Sequence, residues 1–258
     1  MITLTSAQLN AWIMLLVFPL ARILALIAAA PITVNQQFPV TAKIGLAVMI
    51  SVLVAPSLPA APDIAPDSAY SMLLLAREIL LGVGMGLAMR VMFSAISTAG
   101  DIIGLQMGLG FAQFFDPQSS AQVPVIGQFL NLLATLVFLS INGHLTMIAT
   151  LIESFRTVPP DAALSSAAAA LALAKWGGMI FSAAVQLSLP LIATLLITNS
   201  ALAVLTRASP QLNIFAIGFP VTMGVGFIAL LLTLPYMAPG FERLFEQGIQ
   251  AMLRVAAR

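Results

Sequence analysis

Met72-Leu73-Leu74-Leu75-Ala76-Arg77-Glu78-Ile79-Leu80-Leu81-Gly82-Val83-Gly84-Met85-Gly86-Leu87-Ala88-Met89-Arg90 decides how the rest of the chain is read. The stretch is apolar enough for a bilayer, yet Arg77, Glu78 and Arg90 sit within it. A charge at the bilayer centre costs about 2.5–3.5 kcal/mol on insertion scales, so such residues face protein, face water or lie beyond the hydrocarbon. Gly82 and Gly86 stand four apart, a spacing that lets a second helix backbone approach closely where lipid offers no hydrophobic drive to associate. The stretch therefore predicts a helix made to pack on other helices.

Working outward, about seven apolar stretches take up nearly the whole chain. The spacing predicts helices over Ser6–Ala30, Thr41–Ser57, Tyr70–Ala99, Gly100–Phe114, Val125–Phe155, Ser166–Thr206 and Ile214–Tyr236, with an amphipathic helical tail from about Phe241 to Arg258. Pro31 and Pro39, then Pro56, Pro59, Pro62 and Pro66, then Pro159-Pro160, and finally Ser209-Pro210-Gln211 punctuate them. Pro19, Pro190 and Pro220 lie inside predicted helices and favour kinks. Asn142-Gly143-His144 interrupts the fifth, because an Asn-Gly pair tends to turn. Arg22, Asp101 and Lys175 add charges in apolar surroundings, and Gly100, Gly104 and Gly108 continue the small-residue spacing. The expected fold is all-α, a single domain over residues 1–258 of kinked, hairpin-forming helices associated with a membrane.

Composition closes several alternatives. Hydrophobic residues make up 60% of the chain and charged ones 7%, against about 25% charged in soluble domains, so this is an integral membrane protein. A formal net charge of +1 offers no basic face for nucleic acid. Without cysteine there is no disulfide, thiol nucleophile or thiolate metal site. One histidine and nine scattered carboxylates leave little for a metal centre, and no protease, nucleotide-binding or hydrolase motif is present. The reading is a non-enzyme without cofactor or metal. The first apolar run lacks a positive n-region and is expected to be an uncleaved helix. Acids and no bases in the Asp63–Asp67 loop, against Arg243, Arg254 and Arg258 in the tail, place the tail on the cytoplasmic side.

One segment resists the helical pattern. Met107-Gly108-Leu109-Gly110-Phe111-Ala112-Gln113-Phe114-Phe115-Asp116-Pro117 is too aromatic for a solvent loop, and Asp116-Pro117 stops a helix. Apolar irregular backbone at membrane depth must be buried in protein or line a cavity. Elsewhere, Arg77 and Glu78 are candidates for a salt bridge, within the chain or between subunits. His144 reads as a hydrogen-bonded histidine at a helix break, with a proton relay as the functional alternative. Asn213 reads as the N-cap of the last helix.

Several of these segments, taken together, resemble the FliR family of flagellar type III export-gate subunits. They are Asn35-Gln-Gln-Phe-Pro-Val-Thr-Ala-Lys-Ile-Gly-Leu-Ala47, Ala99-Gly-Asp-Ile-Ile-Gly-Leu-Gln-Met-Gly-Leu109 with Asp116-Pro117, Asn142-Gly143-His144, and Leu205-Thr-Arg-Ala-Ser-Pro210-Gln211-Leu-Asn213-Ile-Phe215 with Gly218-Phe219-Pro220. The resemblance covers essentially the whole chain in order. It implies a channel-forming subunit in the bacterial inner membrane and flagellar basal body. The implied partners are two other small membrane proteins (FliP- and FliQ-like), a large export-gate protein (FlhB-like) and unfolded exported proteins. It also implies a pore plug over about 107–122, with Met107, Gly108, Gly110, Phe111, Phe114, Phe115, Asp116, Pro117 and Gln122 as its residues. From their spacing and charge rather than from the resemblance, Gly82, Gly86, Gly100, Gly104, Arg77 and Glu78 are candidates for helix packing within the chain or for assembly with partners. A homologous subunit of a virulence type III secretion system is the alternative, and a secondary transporter is a more distant one.

Overall fold

The computed structural model describes residues 6–33, 39–58, 68–111, 124–159, 167–209 and 214–256. Every regular element among them is helical. In chain order they are α1 (Ser6–Ala29), α2 (Val40–Val54), α3 (Ala69–Gln106), α4 (Val125–Ser140), α5 (Gly143–Thr157), α6 (Ala167–Gly177), α7 (Met179–Ala208) and α8 (Ile214–Ala256). Short 3-10 turns follow α2 at Ala55–Ser57 and α3 at Leu109–Phe111. A chain this apolar closes its backbone hydrogen bonds within helices, because hydrocarbon supplies no partner for them. Hydroxyls inside the helices follow suit and bond back to the preceding turn, as Ser188 Oγ does to Ala184 O at 2.8 Å and Thr233 Oγ1 to Ala229 O at 2.8 Å.

Three boundaries differ from the sequence expectation. The break expected between Ala99 and Gly100 does not occur, and α3 runs unbroken to Gln106. Glycine weakens a helix only modestly, and Gly100 here serves close packing rather than a turn. The tail expected as a separate helix from Phe241 is the end of α8, which continues through Pro220, Pro235 and Pro239. Membrane helices tolerate proline where neighbouring groups satisfy the freed carbonyls. The single helix expected over Ser166–Thr206 is divided at Gly178 instead, while Pro190 lies within α7 without ending it.

Two compact units make up the chain. One comprises Met1–Val91, Asn142–Gly177 and Phe245–Arg258; the other comprises Met92–Ile141 and Gly178–Leu244. In the first, α1 packs on α2, and Met14, Phe18 and Leu74 form a small core with Leu75 against it. The α1–α3 contact is set by four small residues. A Cβ added at Gly82 would lie 2.8 Å from Ala25 Cβ, and one added at Gly86 would lie 2.6 Å from Ala29 Cβ. Small residues four apart on each helix thus let the backbones meet. Trp176 of α6 donates its indole N–H to Ala88 O at 3.0 Å. In the second unit, α3 meets α4 at Gly100 and Gly127, where a Cβ on Gly100 would come 2.5 Å from Gly127 Cα. Phe93 and Phe138 close that interface edge to face, 5.7 Å between centroids at 71°.

By length and composition three helices among the described residues are fit to cross a membrane, or up to four if α4 and α5 count as one broken span. The apolar window of α3 is 61% buried, against 28% for the Leu171–Ala208 segment and 22% for Ala216–Val255. So α3 is an interior helix, whereas the two later spans present most of their apolar surface outward. With 38 and 43 residues, α3 and α8 have contour lengths of about 57 and 65 Å at 1.5 Å per residue. That is about twice the ~30 Å of bilayer hydrocarbon. Neither is a simple perpendicular span.

Candidate functional site

Three features stand out, and the first two each lie within one unit. The first is the root of the apolar segment after α3. Met107 N donates to Ile103 O at 2.9 Å and Gly108 N to Leu105 O at 3.0 Å, which carries the helical pattern to its last turn. Gly108 then takes φ 84°, a left-handed conformation that costs glycine nothing and reverses the chain into the Leu109–Phe111 turn. The Met107 side chain is fully buried and lies across Gly226 of α8. Thr222, one turn earlier on α8, places Oγ1 within 3.4 Å of Met107 O. A Cβ on Gly110 would meet Leu105 Cδ2 at 3.1 Å, so the turn folds back on α3. Gly104 lies beside Ile126 and Leu109. Of the residues that the resemblance assigns to a plug, Met107 is packed on α8, Gly108 turns the chain and Gly110 folds back on α3. Phe111 closes the 3-10 turn. Phe114, Phe115, Asp116, Pro117 and Gln122 lie outside the described residues.

The second feature is a buried charge cluster in the first unit. Arg22 of α1 and Glu78 of α3 are both fully buried. Arg22 Nε donates to Glu78 Oε2 at 2.7 Å and Nη2 to Oε1 at 2.8 Å, a two-pronged pairing that suits the planar guanidinium. The remaining donors reach the end of α5: Nη1 to Ser154 O and Oγ, each at 3.0 Å, and Nη2 to Val158 O at 2.9 Å. The guanidinium carbon also stands 4.3 Å from the Phe155 ring centroid. One cation thus neutralises a carboxylate and caps the carbonyl end of a helix, where the helix dipole favours positive charge. Arg77 approaches Glu78 at 3.8 Å and donates to Pro159 O at 3.2 Å. The adjacent Arg77–Glu78 pair singled out from sequence is thus the looser contact. The principal partner of Glu78 is Arg22, 56 positions away, which no local spacing reveals.

The third feature is the break between α4 and α5. Asn142 takes φ 56° and ψ 29°, the left-handed conformation that asparagine tolerates better than most residues. Its carbonyl accepts from Leu145 N at 2.9 Å and Thr146 N at 3.1 Å, which restarts the helix at a buried Gly143. His144 is half-buried, and its Nδ1 is buried without a hydrogen-bond partner among the described residues. Asp101 Oδ1, packed against Gly127, is likewise unpartnered there. Pro210, Gln211 and Asn213 fall outside the described residues, so the proposed cap of α8 does too.

Comparison with known proteins adds the remaining finding. Residues 13–248 match the family model described as bacterial export proteins, family 1. The chain is 44% identical over 247 residues to the flagellar biosynthetic protein FliR of Escherichia coli (strain K12), covering 96% of this chain and 94% of that one. It is 46% identical over 248 residues to the FliR protein of Pectobacterium carotovorum subsp. carotovorum, again covering 96% and 94%. Against the FliR protein of Bacillus subtilis (strain 168) the identity is 33% over 246 residues, 94% of each chain.

Proposed function

This chain belongs to family 1 of the bacterial export proteins, and on that premise we propose that it is a channel-forming subunit of the flagellar type III export gate. The family is a flagellar export component and the chain is a membrane protein; the gate role, the inner membrane of the basal body and the named partners are our reading. The observation that carries it is the 44–46% identity to flagellar FliR proteins over 96% of the chain. Relatives of flagellar name favour the flagellar system over a virulence system. Nothing in the sequence binds nucleotide, so the energy for transport comes from elsewhere in the apparatus.

Partners of the FliP-, FliQ- and FlhB-like kinds fit the outward surface of α7. That helix is apolar enough for lipid, yet Gln186, Asn199 and Ser200 are exposed on it among Phe181, Leu189, Leu196 and Ile197. Amide side chains in a membrane are costly against lipid and favourable against another helix. In our reading the segment from Met107 to Gln122 plugs the pore at rest. Phe111, Phe114 and Phe115 supply bulk that excludes water and ions, and an unfolded substrate displaces it.

Two experiments test this. Mild-detergent purification of the tagged chain, expressed from its own operon, should give a large defined complex containing two other small membrane proteins. A lone chain or a homodimer would refute the subunit role. In that complex, replacing Phe111, Phe114 and Phe115 together by alanine should raise ion leak; unchanged leak in a normally assembled complex would refute the plug.

A further inference from the structure

We propose that Gly226 and Thr222 of α8 are positioning residues of the gate: they seat Met107 as the fixed pivot from which the chain leaves α3. The consequence for sealing rests on the plug reading above, but the pivot itself stands on contacts within one unit.

The seat is mainly steric. A Cβ on Gly226 would lie 2.6 Å from Met107 Cγ, 2.9 Å from Cε and 3.0 Å from Sδ. Atoms that close must move, and Cγ, one bond from Cβ, has little freedom to do so. Only glycine at 226 accepts the methionine where it lies. A long, polarisable and unbranched side chain is suited to fill such a notch completely, and Met107 is fully buried in it. The second part of the seat is polar and weak. Thr222 Oγ1 stands 3.0 Å from Gly218 O, 3.1 Å from Phe219 O and 3.4 Å from Met107 O. A hydroxyl has one proton, so the three carbonyls compete for it, and the link to Met107 is the longest of them.

This arrangement fixes the end of α3 at Met107, one residue ahead of the turn into Leu109–Phe111. Through Met107 the backbone is helical, bonded and wedged; Gly108, its N–H still on Leu105 O, then reverses the chain by a left-handed conformation that glycine adopts without strain. On the plug reading, Met107 sets the point from which the segment leaves α3. Filling the Gly226 notch should move the pivot even though residue 226 is distant in sequence.

The chain has no cysteine, so paired cysteines at Leu105 (68% exposed) and Ile228 (61% exposed) give it two defined spin-label positions, read in the assembled complex against a complex carrying the unsubstituted chain as the labelling control. With Gly226→Ala, the Leu105–Ile228 distance distribution should shift or broaden. Adding Met107→Ala should restore it, because the smaller side chain vacates the space the new methyl needs. Thr222→Val, which keeps the shape and removes the donor, should broaden the distribution without shifting its centre. An unchanged distribution in Gly226→Ala, or no restoration in the double variant, overturns the pivot. If Gly226→Ala alone fails to assemble, recovery of assembly in the double variant supports the steric seat, and failure to recover overturns it. Ion leak through the same complexes, reconstituted in lipid vesicles, separates the two readings. A displaced pivot with no leak sinks the sealing role alone, whereas an undisturbed pivot beside leaky phenylalanine variants sinks this inference alone.

Discussion

Glu78→Gln is expected to destabilise the chain by about 3 kcal/mol, the lower end of the ~3–5 kcal/mol typical when one member of a buried ion pair is removed. The structure sets that end of the range. The substitution leaves the Arg22 guanidinium fully buried, and it turns an amide N–H toward a donor that had a carboxylate oxygen 2.7 or 2.8 Å away. What remains for the charge is the end of α5, through Ser154 O and Val158 O at 3.0 and 2.9 Å, and the Phe155 ring at 4.3 Å. A helix end contributes up to about 2 kcal/mol in a partly buried geometry, and a desolvated cation–π contact about as much. They soften the loss without replacing a full countercharge. A cost of 3 kcal/mol lowers the folded-to-unfolded ratio by roughly two powers of ten.

The assay is pulse proteolysis across a urea series on the detergent-solubilised complex, scored by the surviving full-length chain. An internal control comes from Glu153, whose pair with Arg156 spans 3.5 Å with side chains 51% and 63% exposed. Glu153→Gln should cost under about 1 kcal/mol, as exposed pairs do. Arg22→Met with Glu78→Met should recover part of the loss, since an apolar pair of similar volume is often neutral. Recovery stays partial because Val158 O loses its Arg22 donor, at about 1–3 kcal/mol for an unsatisfied buried group, whereas Ser154 O keeps Val158 N at 2.9 Å. The reasoning fails if Glu78→Gln costs no more than Glu153→Gln, or if the double variant is worse than either single one.

Two further outcomes follow from backbone geometry. Gly100→Ala places a methyl 2.5 Å from Gly127 Cα and should destabilise by about 1–3 kcal/mol, whereas Gly45→Ala, with nothing within 4 Å, should be neutral or stabilising by up to about 1 kcal/mol; the same urea series reads both. Asn142→Gly should leave stability nearly unchanged, while Asn142→Val should cost about 1–2 kcal/mol, because φ 56° is a left-handed conformation that a β-branched residue resists; equal midpoints for the two would contradict it.

The helical, membrane-borne character of the chain was legible because apolar runs and prolines are local signals. The Asn142-Gly143 break was equally legible, since its cause lies in two neighbouring residues. Reading Gly100 as a start and Phe241 as a new helix failed for one shared reason. In an apolar bundle a glycine or proline is tolerated when a neighbouring helix needs the space or satisfies the carbonyl, and that neighbour is not adjacent in sequence. The same limit hid the Arg22–Glu78 pair: both charges were visible, but 56 positions separate them. The spacing of Gly82 and Gly86 pointed to a close helix contact, and only the fold identifies Ala25 and Ala29 as the other side of it.

The two features differ in chemistry, and the difference bears on how a plug could open. The α1–α3–α5 junction is held by a fully desolvated charge pair, so bulk salt screens it little. The Met107 seat is held by close packing against a glycine and by one shared hydroxyl proton. Among the described residues, the groups that make the seat, Met107, Gly226 and Thr222, carry no charge and do not titrate between pH 5 and 8. A change in pH or ionic strength therefore acts on neither the packing nor the hydrogen bond directly. What does act on a steric seat is displacement: a chain pressing on the segment beyond Gly108 levers against Met107, and the weak third hydrogen bond of Thr222 is the first contact to give. If the proposed plug holds, these contacts favour an opening driven by the transported polypeptide rather than by an ionic signal at this point.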